Sequence, residues 1–392
     1  MKFDNIKERL FKGDKVIWIV FFIICAISGV EVFSATSRQI SETGSYWSPV
    51  LRHLMFLSIG LFIIWLINLY NIDQIKKLTK YFYLIGLAGI IWAQFDSSSQ
   101  INGSARWISL GFITFQPMEF VKIGLIMLTA RIISMHQDAN GTKDTALKSI
   151  IKFSIIPILI IMKENLSTAI ILTFTIFTML YIGRAPWRQI LKIIGFAVIG
   201  AAIGISLLLT LPDSIAEKEG SFGSKLITWK HRIQDVGNSQ PIDPDTYQIV
   251  DDQRAHANMA IASSHLIGCG PGNSVQRDNI PHAYSDFIYA IILEELGLIG
   301  GIFVLLLYLT LLFRCGKIAN RCEKLYPALL AMGIGIIIVS QAMLHMYISV
   351  GDFVTGQPLP LISQGGTSVV INCIYIGILL CISKECVKKK EK

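Results

Sequence analysis

Long apolar runs recur from one end of this chain to the other, and they limit the folds it can adopt. Each run holds roughly 18–25 mainly apolar residues, enough for a helix to cross a hydrocarbon core about 30 Å thick. Of the 392 residues, 53% are hydrophobic and only 16% are charged. We therefore expect an all-α polytopic membrane protein. The runs predict about ten transmembrane helices, near 16–36, 52–70, 79–96, 117–135, 150–162, 166–183, 189–211, 285–313, 326–350 and 367–385.

The net charge of +8 is distributed in a way that orients these helices. Basic residues precede the first helix, fill every second connection and end the chain, whereas the other short connections are poorer in them. Under the positive-inside rule both termini are cytoplasmic, so the charge does not indicate a nucleic-acid partner. The connection 212–284, between the seventh and eighth helices, is predicted to be one large extracytoplasmic loop of a single membrane domain, 1–392. A loop of that length is usually functional.

The cysteines and histidines give no sign of a metal site. The seven cysteines have no CxxC or CxxH spacing, and only Cys269 falls in the outward loop. The seven histidines are scattered along the chain. We therefore predict neither a structural zinc nor a disulfide.

A first polar constellation lies at the start of the fourth predicted helix. Arg106 offers a forked donor suited to phosphate, and Trp107 could lie in the membrane interface or stack on a sugar. Glu119 and Lys122 share one face of the helix because they are three residues apart. Two interpretations of that pair are equally open, an internal ion pair between helices or direct contact with a ligand.

A second constellation is the glycine-rich run Gly268-Cys-Gly-Pro-Gly-Asn-Ser. Its backbone N–H groups could bind phosphate, but it lacks the Lys-Ser/Thr of a P-loop, so a plain flexible loop is the favoured interpretation. Glu294 and Glu295 follow in the eighth helix. Adjacent residues point about 100° apart on a helix, so at least one of the two faces protein or a wet cavity. We expect them to brace the bundle.

A third constellation surrounds Asp286, where the long loop enters the eighth apolar helix. A carboxylate that loses hydration there is costly unless it is partnered, which makes Asp286 a functional-site candidate. The alternative is that Asp286 only caps the N-terminus of the helix.

A fourth constellation, 355–368, leads into the last helix and contains Pro358, Pro360 and the pair Gly365-Gly366. Irregular backbone near membrane depth is tolerated only where it is buried in protein or lines a water-filled cavity. All four constellations fall at the outward ends of predicted helices. They could therefore converge on one outward-facing polar cavity.

With these motifs in order, the chain resembles the SEDS (shape, elongation, division and sporulation) family, typified by FtsW and RodA. The resemblance covers nearly the whole chain. It rests on Gly103-Ser-Ala-Arg-Trp-Ile, Phe115-Gln-Pro-Met-Glu-Phe-Val-Lys, Gly268-Cys-Gly-Pro-Gly-Asn-Ser, Ser285-Asp-Phe-Ile-Tyr-Ala with Glu294-Glu-Leu-Gly, and Leu359-Pro-Leu-Ile-Ser-Gln-Gly-Gly-Thr-Ser.

The resemblance implies a glycosyltransferase that polymerises lipid II into a growing glycan strand on the outer face of the bacterial cytoplasmic membrane, releasing undecaprenyl pyrophosphate. It implies that Asp286 is catalytic and that Trp107 is functionally important. It also implies partnership with a class B penicillin-binding protein transpeptidase and other divisome membrane proteins. The stretch Thr355-Gly-Gln-Pro-Leu-Pro-Leu-Ile-Ser resembles the division-type FtsW branch more than RodA.

The sequence departs from the common family pattern at several positions. His282 and Tyr284 stand where Glu and His are usual, and Gln364 stands where Tyr is usual. Asn165 and Ser167 occupy a frequent Asp-Leu-Gly run. None of these departures affects Asp286.

Joining two lipid II units makes a β-1,4 bond from an α-linked sugar, so the configuration at the anomeric carbon inverts. The reaction needs a base for the acceptor's 4-hydroxyl and positive charge to stabilise the leaving pyrophosphate. We predict that Asp286 is the base. The predicted cations are Arg106 and Lys122, then Arg254 and Arg277. A divalent cation, Mg²⁺ or Mn²⁺, could share that work, but no ligand cluster requires one. The other predicted substrate-site residues, with contact or orienting roles, are Trp107, Glu119, Ser285, Ser363 and Gln364.

Two other classes of function are compatible with the sequence. A lipid II flippase would also suit ten spans with broken segments and intramembrane charges, although the two halves show no internal repeat. A non-catalytic scaffold of the division complex is the other alternative.

Overall fold

The computed structural model describes residues 11–36, 48–95, 108–109, 114–139, 141–210, 230, 253–280, 283–350 and 357–388. This part of the chain contains eleven α-helices, two short antiparallel hairpins and one 3-10 turn at Gln276–Asp278. The helices are α1 (Lys15–Ala35), α2 (Ser48–Leu69), α3 (Ile72–Phe95), α4 (Pro117–Met135), α5 (Asp144–Glu164), α6 (Leu166–Ile182), α7 (Trp187–Thr210), α8 (Gln253–Ala262), α9 (Ile288–Ala319), α10 (Leu325–Val350) and α11 (Gly366–Lys388). The hairpins pair β1 (Ile108–Ser109) with β2 (Thr114–Phe115) and β3 (Gln137–Asp138) with β4 (Gly141–Thr142).

Every predicted membrane segment corresponds to a helix, so the all-α prediction is confirmed. Among the described residues, seven helices are long and apolar enough to cross a membrane: α1, α2, α3, α5, α9, α10 and α11. The remaining predicted spans are α4, α6 and α7. Of these, α4 carries three charges, Glu119, Lys122 and Arg131, and α6 has only 17 residues.

The boundaries differ most at the fifth helix, which covers Asp144–Glu164 where the sequence predicted 150–162. Its 21 residues extend about 31 Å at 1.5 Å per residue. The helix ends at Glu164 because Asn165 adopts an extended conformation and caps α6, accepting a hydrogen bond from Thr168 N at 3.1 Å. Asn165 therefore separates the fifth and sixth helices.

The chain divides into two compact units. One comprises Met1–Arg184 with Asp251–Lys392, and the other comprises Ala185–Val250, which includes α7. All contacts described below belong to the first unit. The connection 212–284, predicted to face outward, is described only in part, and its described part includes α8.

Close backbone packing between α3 and α4 depends on glycine. A Cβ added at Gly86 would lie 2.5 Å from Val121 N, and one added at Gly124 would lie 2.7 Å from Tyr83 N. Small residues let two membrane helices approach until their backbones touch, which maximises van der Waals contact. This contact fixes α4, and with it Glu119 and Lys122.

An ion pair joins α1 to the far end of α9. Asp14 caps α1 by accepting hydrogen bonds from Val16 N at 2.9 Å and Ile17 N at 3.3 Å. The Arg314 guanidinium donates to both carboxylate oxygens of Asp14. A two-pronged pair of this kind fixes orientation as well as distance.

The structure pairs Cys322 with Cys386 in a disulfide, with Cα atoms 5.3 Å apart, so the prediction of no disulfide was wrong. The two residues are 64 positions apart in sequence. Cys322 lies between α9 and α10 and Cys386 lies near the end of α11. Only the packing of these helices brings the two sulfur atoms together, and no local spacing could reveal it.

Candidate functional site

Helix α9 is interrupted at Gly297, which has φ 71°. Beyond the break, Leu298 N and Ile299 N donate to the carbonyls of His265 and Leu266, each at 3.2 Å. A Cβ atom added at Gly297 would lie 2.4 Å from the Ile267 carbonyl carbon. The 265–276 segment is thus inserted against the broken helix. Broken helices in membrane proteins need such partners, because the freed backbone groups have no water to bind.

The carboxylates of Glu294 and Glu295 hold the glycine-rich run, 268–274, in place. Glu295 accepts hydrogen bonds from Gly272 N at 3.0 Å and Ser274 N at 3.3 Å. Glu294 accepts from Val275 N at 3.0 Å and Ser274 Oγ at 2.5 Å. The N–H groups of Gly272 and Ser274 therefore bind an internal carboxylate, and those of Cys269 and Gly270 donate to the backbone carbonyls of Glu294 and Glu295. The flexible-loop interpretation was wrong, and the bracing role expected for the two glutamates agrees with these contacts.

Arg277 is engaged with the same assembly. Its Nη1 atom donates to Ser34 Oγ at 2.9 Å and lies 3.8 Å from Glu295 Oε1. Ser34 in turn donates to Glu295. Only 19% of the Arg277 side chain is exposed. These contacts hold Arg277 against α1 and α9. They favour a structural role over the predicted role of stabilising the leaving pyrophosphate.

The contrast between two glycines tests how the 268–274 run is held. Gly268 has φ +79° and its added Cβ would lie 2.4 Å from Gly297 N, whereas Gly272 has φ +82° with nothing within 4 Å. We expect Gly268→Ala to destabilise the protein by about 3 kcal/mol, combining left-handed strain with overpacking. Gly272→Ala carries only the strain, about 1 kcal/mol. Thermal unfolding in detergent measures both, and equal losses would contradict the insertion of this run against α9.

Asp286 is not the N-cap residue of α9. That position is held by Phe287, whose own side chain makes no cap hydrogen bond, so the interpretation of Asp286 as the cap residue was wrong. Asp286 is half-buried and accepts a hydrogen bond from Ser285 Oγ at 3.0 Å. The neighbouring Phe287 is fully buried in an apolar cluster with Ala257 and Ala260 of α8. The carboxylate therefore sits at the rim of a packed core.

The segment 357–365, which we call the buried loop, is irregular backbone held by side chains from several helices. His345 Nδ1 on α10 bonds Gln357 O at 2.6 Å, and Tyr308 OH on α9 donates to Pro360 O at 2.5 Å. Ser28 Oγ on α1 donates to Ile362 O at 2.7 Å. Leu361 has φ +65°. The loop is thus buried in protein, one of the two environments that the sequence allowed for it.

Ser28 is held in turn by His53. The His53 Nε2 atom lies 2.7 Å from Ser28 Oγ, and both residues are buried. Because the Ser28 hydroxyl donates to Ile362 O, Nε2 carries the proton in this contact. Gln357 Nε2 adds a further anchor by donating to Thr168 Oγ1 on α6.

The buried loop also fixes the backbone next to Asp286. Ser363 Oγ donates to Ser285 O at 2.8 Å and accepts from Leu359 N at 2.7 Å. Gln364 N donates to Tyr284 O at 3.0 Å. The third and fourth constellations therefore meet. Ser363 is only 1% exposed, which favours positioning over direct substrate contact.

Glu119 and Lys122 form a buried ion pair within α4, whereas the alternative drawn from the sequence was an ion pair between helices. Lys122 Nζ lies 2.7 Å from Glu119 Oε1, and the side chains are only 3% and 5% exposed. Lys122 Nζ also donates to Gln341 Oε1 on α10 at 3.1 Å. Gln341 Nε2 donates to Pro358 O at 3.1 Å. A chain of hydrogen bonds therefore links the pair to the buried loop.

Three predicted site residues lie outside this description. Arg106 and Trp107 are not among the described residues, and Arg254 lies in α8 with a side chain that is not described. Conversely, sequence reasoning missed Ser28, His53, Gln341, His345 and Tyr308, which hold the buried loop. The signal was present, because polar residues inside apolar helices mark functional or structurally important positions. In the described ranges, no group of three or more His, Cys, Asp or Glu residues is placed to hold a metal.

Comparison with known proteins adds to this geometry. The FtsW/RodA/SpoVE family, described as a cell cycle protein family, matches residues 14–388. The chain belongs to this family. A protein of Coxiella burnetii named probable peptidoglycan glycosyltransferase FtsW is 31% identical over 94% of this chain and 96% of its own length. A protein of Aliivibrio salmonicida with the same name is 28% identical over 95% of this chain and 89% of its own length.

Two solved structures share the fold. One is a chain from a structure described as a peptidoglycan synthase complex that coordinates polymerization and crosslinking. It aligns with a TM-score of 0.72 at 21% identity, covering 95% of this chain and 98% of that chain. The RodA protein of Thermus thermophilus aligns with a TM-score of 0.63 at 20% identity, covering 95% and 97%. Because these two chains are only 20–21% identical to this FtsW/RodA/SpoVE family member, their similarity to it concerns the fold alone.

Proposed function

We infer that this chain is a peptidoglycan glycosyltransferase that polymerises lipid II, with Asp286 as its catalytic carboxylate. The observation that carries the inference is the convergence at Asp286, where the buried loop fixes the backbone of Tyr284 and Ser285 through Gln364 N and Ser363 Oγ. Family membership over residues 14–388 and relatives named as FtsW glycosyltransferases supply the reaction class.

In the reaction, the 4-hydroxyl of the acceptor sugar attacks the anomeric carbon of the donor from the face opposite the pyrophosphate. Asp286 takes the hydroxyl proton as the new C–O bond forms. The old C–O bond breaks with its electron pair, and undecaprenyl pyrophosphate leaves. The configuration inverts from α to β. A carboxylate at a protein–water boundary suits this role because it is both accessible and partly desolvated.

The leaving pyrophosphate needs positive charge. Arg106 and Lys122 remain our candidates, with Arg254 next. Lys122 is held by Glu119 and Gln341, so it could act only after those contacts change. A divalent cation, Mg²⁺ or Mn²⁺, would be held mainly by the pyrophosphate itself, since the described residues contribute no three-ligand cluster.

We further propose ten membrane spans with both termini cytoplasmic and the Asp286 side extracytoplasmic. The support is the alternation of basic connections together with helices at each predicted span. The site then faces the compartment in which wall polymer is laid down.

The division role and the partners follow from the family. The FtsW name of the relatives favours septal wall synthesis. The structural neighbour described as a synthase complex coordinating polymerization and crosslinking favours a class B penicillin-binding protein transpeptidase as partner. Other divisome membrane proteins are proposed on the same basis.

The experiment combines purified protein with lipid II, with and without the transpeptidase. Glycan strands and an equivalent release of undecaprenyl pyrophosphate are expected. Transbilayer movement of lipid II without strands would instead support a flippase. Neither activity, even with the partner present, would support a scaffold.

Ser363 provides a test of how Asp286 is positioned. Ser363→Ala removes the donor to Ser285 O and the acceptor for Leu359 N, so we expect polymerisation to fall roughly 10-fold or more with little change in KM. Stability should fall by about 1–3 kcal/mol. Ser349→Ala is the matched control, because Ser349 is equally buried but donates only to His345 O in its own helix, at 2.9 Å. Equal kcat losses in the two variants would contradict a positioning role.

A further inference from the structure

A cavity of about 170 Å³ lies at the opposite end of α9 from Asp286. The connection between α9 and α10 supplies residues 321–324 to its wall, Glu323 included, and α11 supplies Glu385 and Cys386. Cys322 and Cys386 are half-buried and line this space, so a small molecule can reach both sulfur atoms.

The compartment makes this pair unusual. The connection between α9 and α10 is one of the basic connections that the positive-inside rule places in the cytoplasm. Disulfides in most reducing cytoplasms are transient, with catalytic or sensing roles, whereas structural disulfides belong to oxidising compartments. The Cα atoms of Cys322 and Cys386 are 5.3 Å apart, so the disulfide between them can form and break without backbone movement.

The two sulfurs have different surroundings. Cys322 stands between Arg321 and Glu323, close to Lys324 and just before the N-terminus of α10. Glu323 disfavours a thiolate there, whereas the two cations and the helix N-terminus favour it. Lys324 Nζ also lies 3.4 Å from Asp73 Oδ2, which offsets part of its effect. Cys386 stands near the C-terminal end of α11 beside Glu385, where a thiolate is disfavoured. The first nucleophile is therefore Cys322.

We propose that Cys322 and Cys386 are a reversible redox pair that exchanges with small peptide disulfides entering this cavity. The Cys322 thiolate attacks one sulfur of the small disulfide, forming a mixed disulfide and releasing one small thiolate. The Cys386 thiol then loses its proton to water, and its sulfur attacks Cys322 Sγ, expelling the second small thiolate. Both small thiolates take up protons from water. Two protein thiols are oxidised and one small disulfide is reduced to two thiols.

The test uses the reduced full-length protein in detergent, with Cys269→Ser as background because Cys269 is the exposed free thiol of the described region. Oxidised glutathione is the probe, and samples are alkylated and weighed by intact mass spectrometry. We expect the Cys322 and Cys386 thiols to disappear together, and reduced glutathione to restore them.

Single variants separate the roles. Cys386→Ser should accumulate one glutathione on Cys322, whereas Cys322→Ser should accumulate it on Cys386 at least about 5-fold more slowly. Arg321→Gln should slow the first attack about 3-fold.

Failure of the wild-type pair to oxidise at any glutathione ratio would overturn the proposal. The proposal would also be overturned if excess reduced glutathione could not reduce the disulfide in the native protein, because the bond would then be a permanent structural disulfide. Equal adduct rates in the two single variants would refute the assignment of Cys322 as nucleophile.

Discussion

Asp286→Asn is expected to reduce polymerisation of lipid II by about 10³-fold, the middle of the range for losing a general base. The amide keeps the shape of the carboxylate and can still accept from Ser285 Oγ, but it cannot take the proton of the attacking hydroxyl. We expect kcat to fall while KM for lipid II changes little, because the proton is transferred only in the transition state. Initial rates over a range of lipid II concentrations measure both constants.

The control for this variant is Asp278→Asn. Asp278 follows Arg277 in the same segment, and 57% of its side chain is exposed. Its loss should leave polymerisation within about 2-fold of wild type, since surface substitutions usually have small effects. A comparable loss in both variants would mean that any charge change in this segment inactivates the enzyme, and Asp286 would lose its special role.

Lys122→Met is expected to have the largest effect on folding. It leaves the Glu119 carboxylate buried without its cation, which costs about 3–5 kcal/mol. It also removes the donor to Gln341, so the link to the buried loop is broken. Thermal and denaturant unfolding in detergent should both report the loss. Lys143→Met is the matched control, because Lys143 pairs with Asp138 at 3.1 Å but both side chains are 53% exposed.

The double variant Glu119→Gln with Lys122→Met separates folding from chemistry. Removing both charges together should restore most of the stability, because no uncompensated charge remains buried. If Lys122 also stabilises the leaving pyrophosphate, the double variant should be stable but at least about 10-fold slower than wild type. A stable and fully active double variant would restrict the pair to a structural role. A double variant as unstable as Lys122→Met would contradict the ion-pair account itself.

Much of the helical framework was predictable, because apolar length and basic connections are local properties of a sequence. The positions of α1 to α7 and α9 to α11 follow from them. The break at Gly297 was not predictable, since a glycine inside an apolar run is common and only the approach of Gly268 explains it. The role of Glu294 and Glu295 was predictable as bracing, but their partners in the glycine-rich run were not.

The candidate site, like the fold, was predictable from the sequence only in part. Asp286 could be singled out because a carboxylate entering an apolar helix needs a reason to be there. Ser363 was also singled out, but its partner, the Ser285 carbonyl 78 residues away, was not. Gln341 and His345 were missed, since they bind carbonyls of the buried loop that only the packing of α10 against it brings close. The Cys322–Cys386 disulfide was not predicted for a related reason, because it depends on how α9, α10 and α11 pack. Long-range hydrogen bonds and pairings of this kind leave no local spacing to recognise.

The measurement that tests the central claim most directly follows labelled lipid II in proteoliposomes containing wild-type protein and its transpeptidase, or the Asp286→Asn variant with the same partner. Glycan strands and transbilayer movement of lipid II are recorded in the same sample. We predict long strands from wild type and essentially none from a folded Asp286→Asn protein that still binds its partner. Strands of equal length and rate from both proteins would remove Asp286 from the mechanism. Lipid movement without strands from wild type would contradict the assignment as a polymerase.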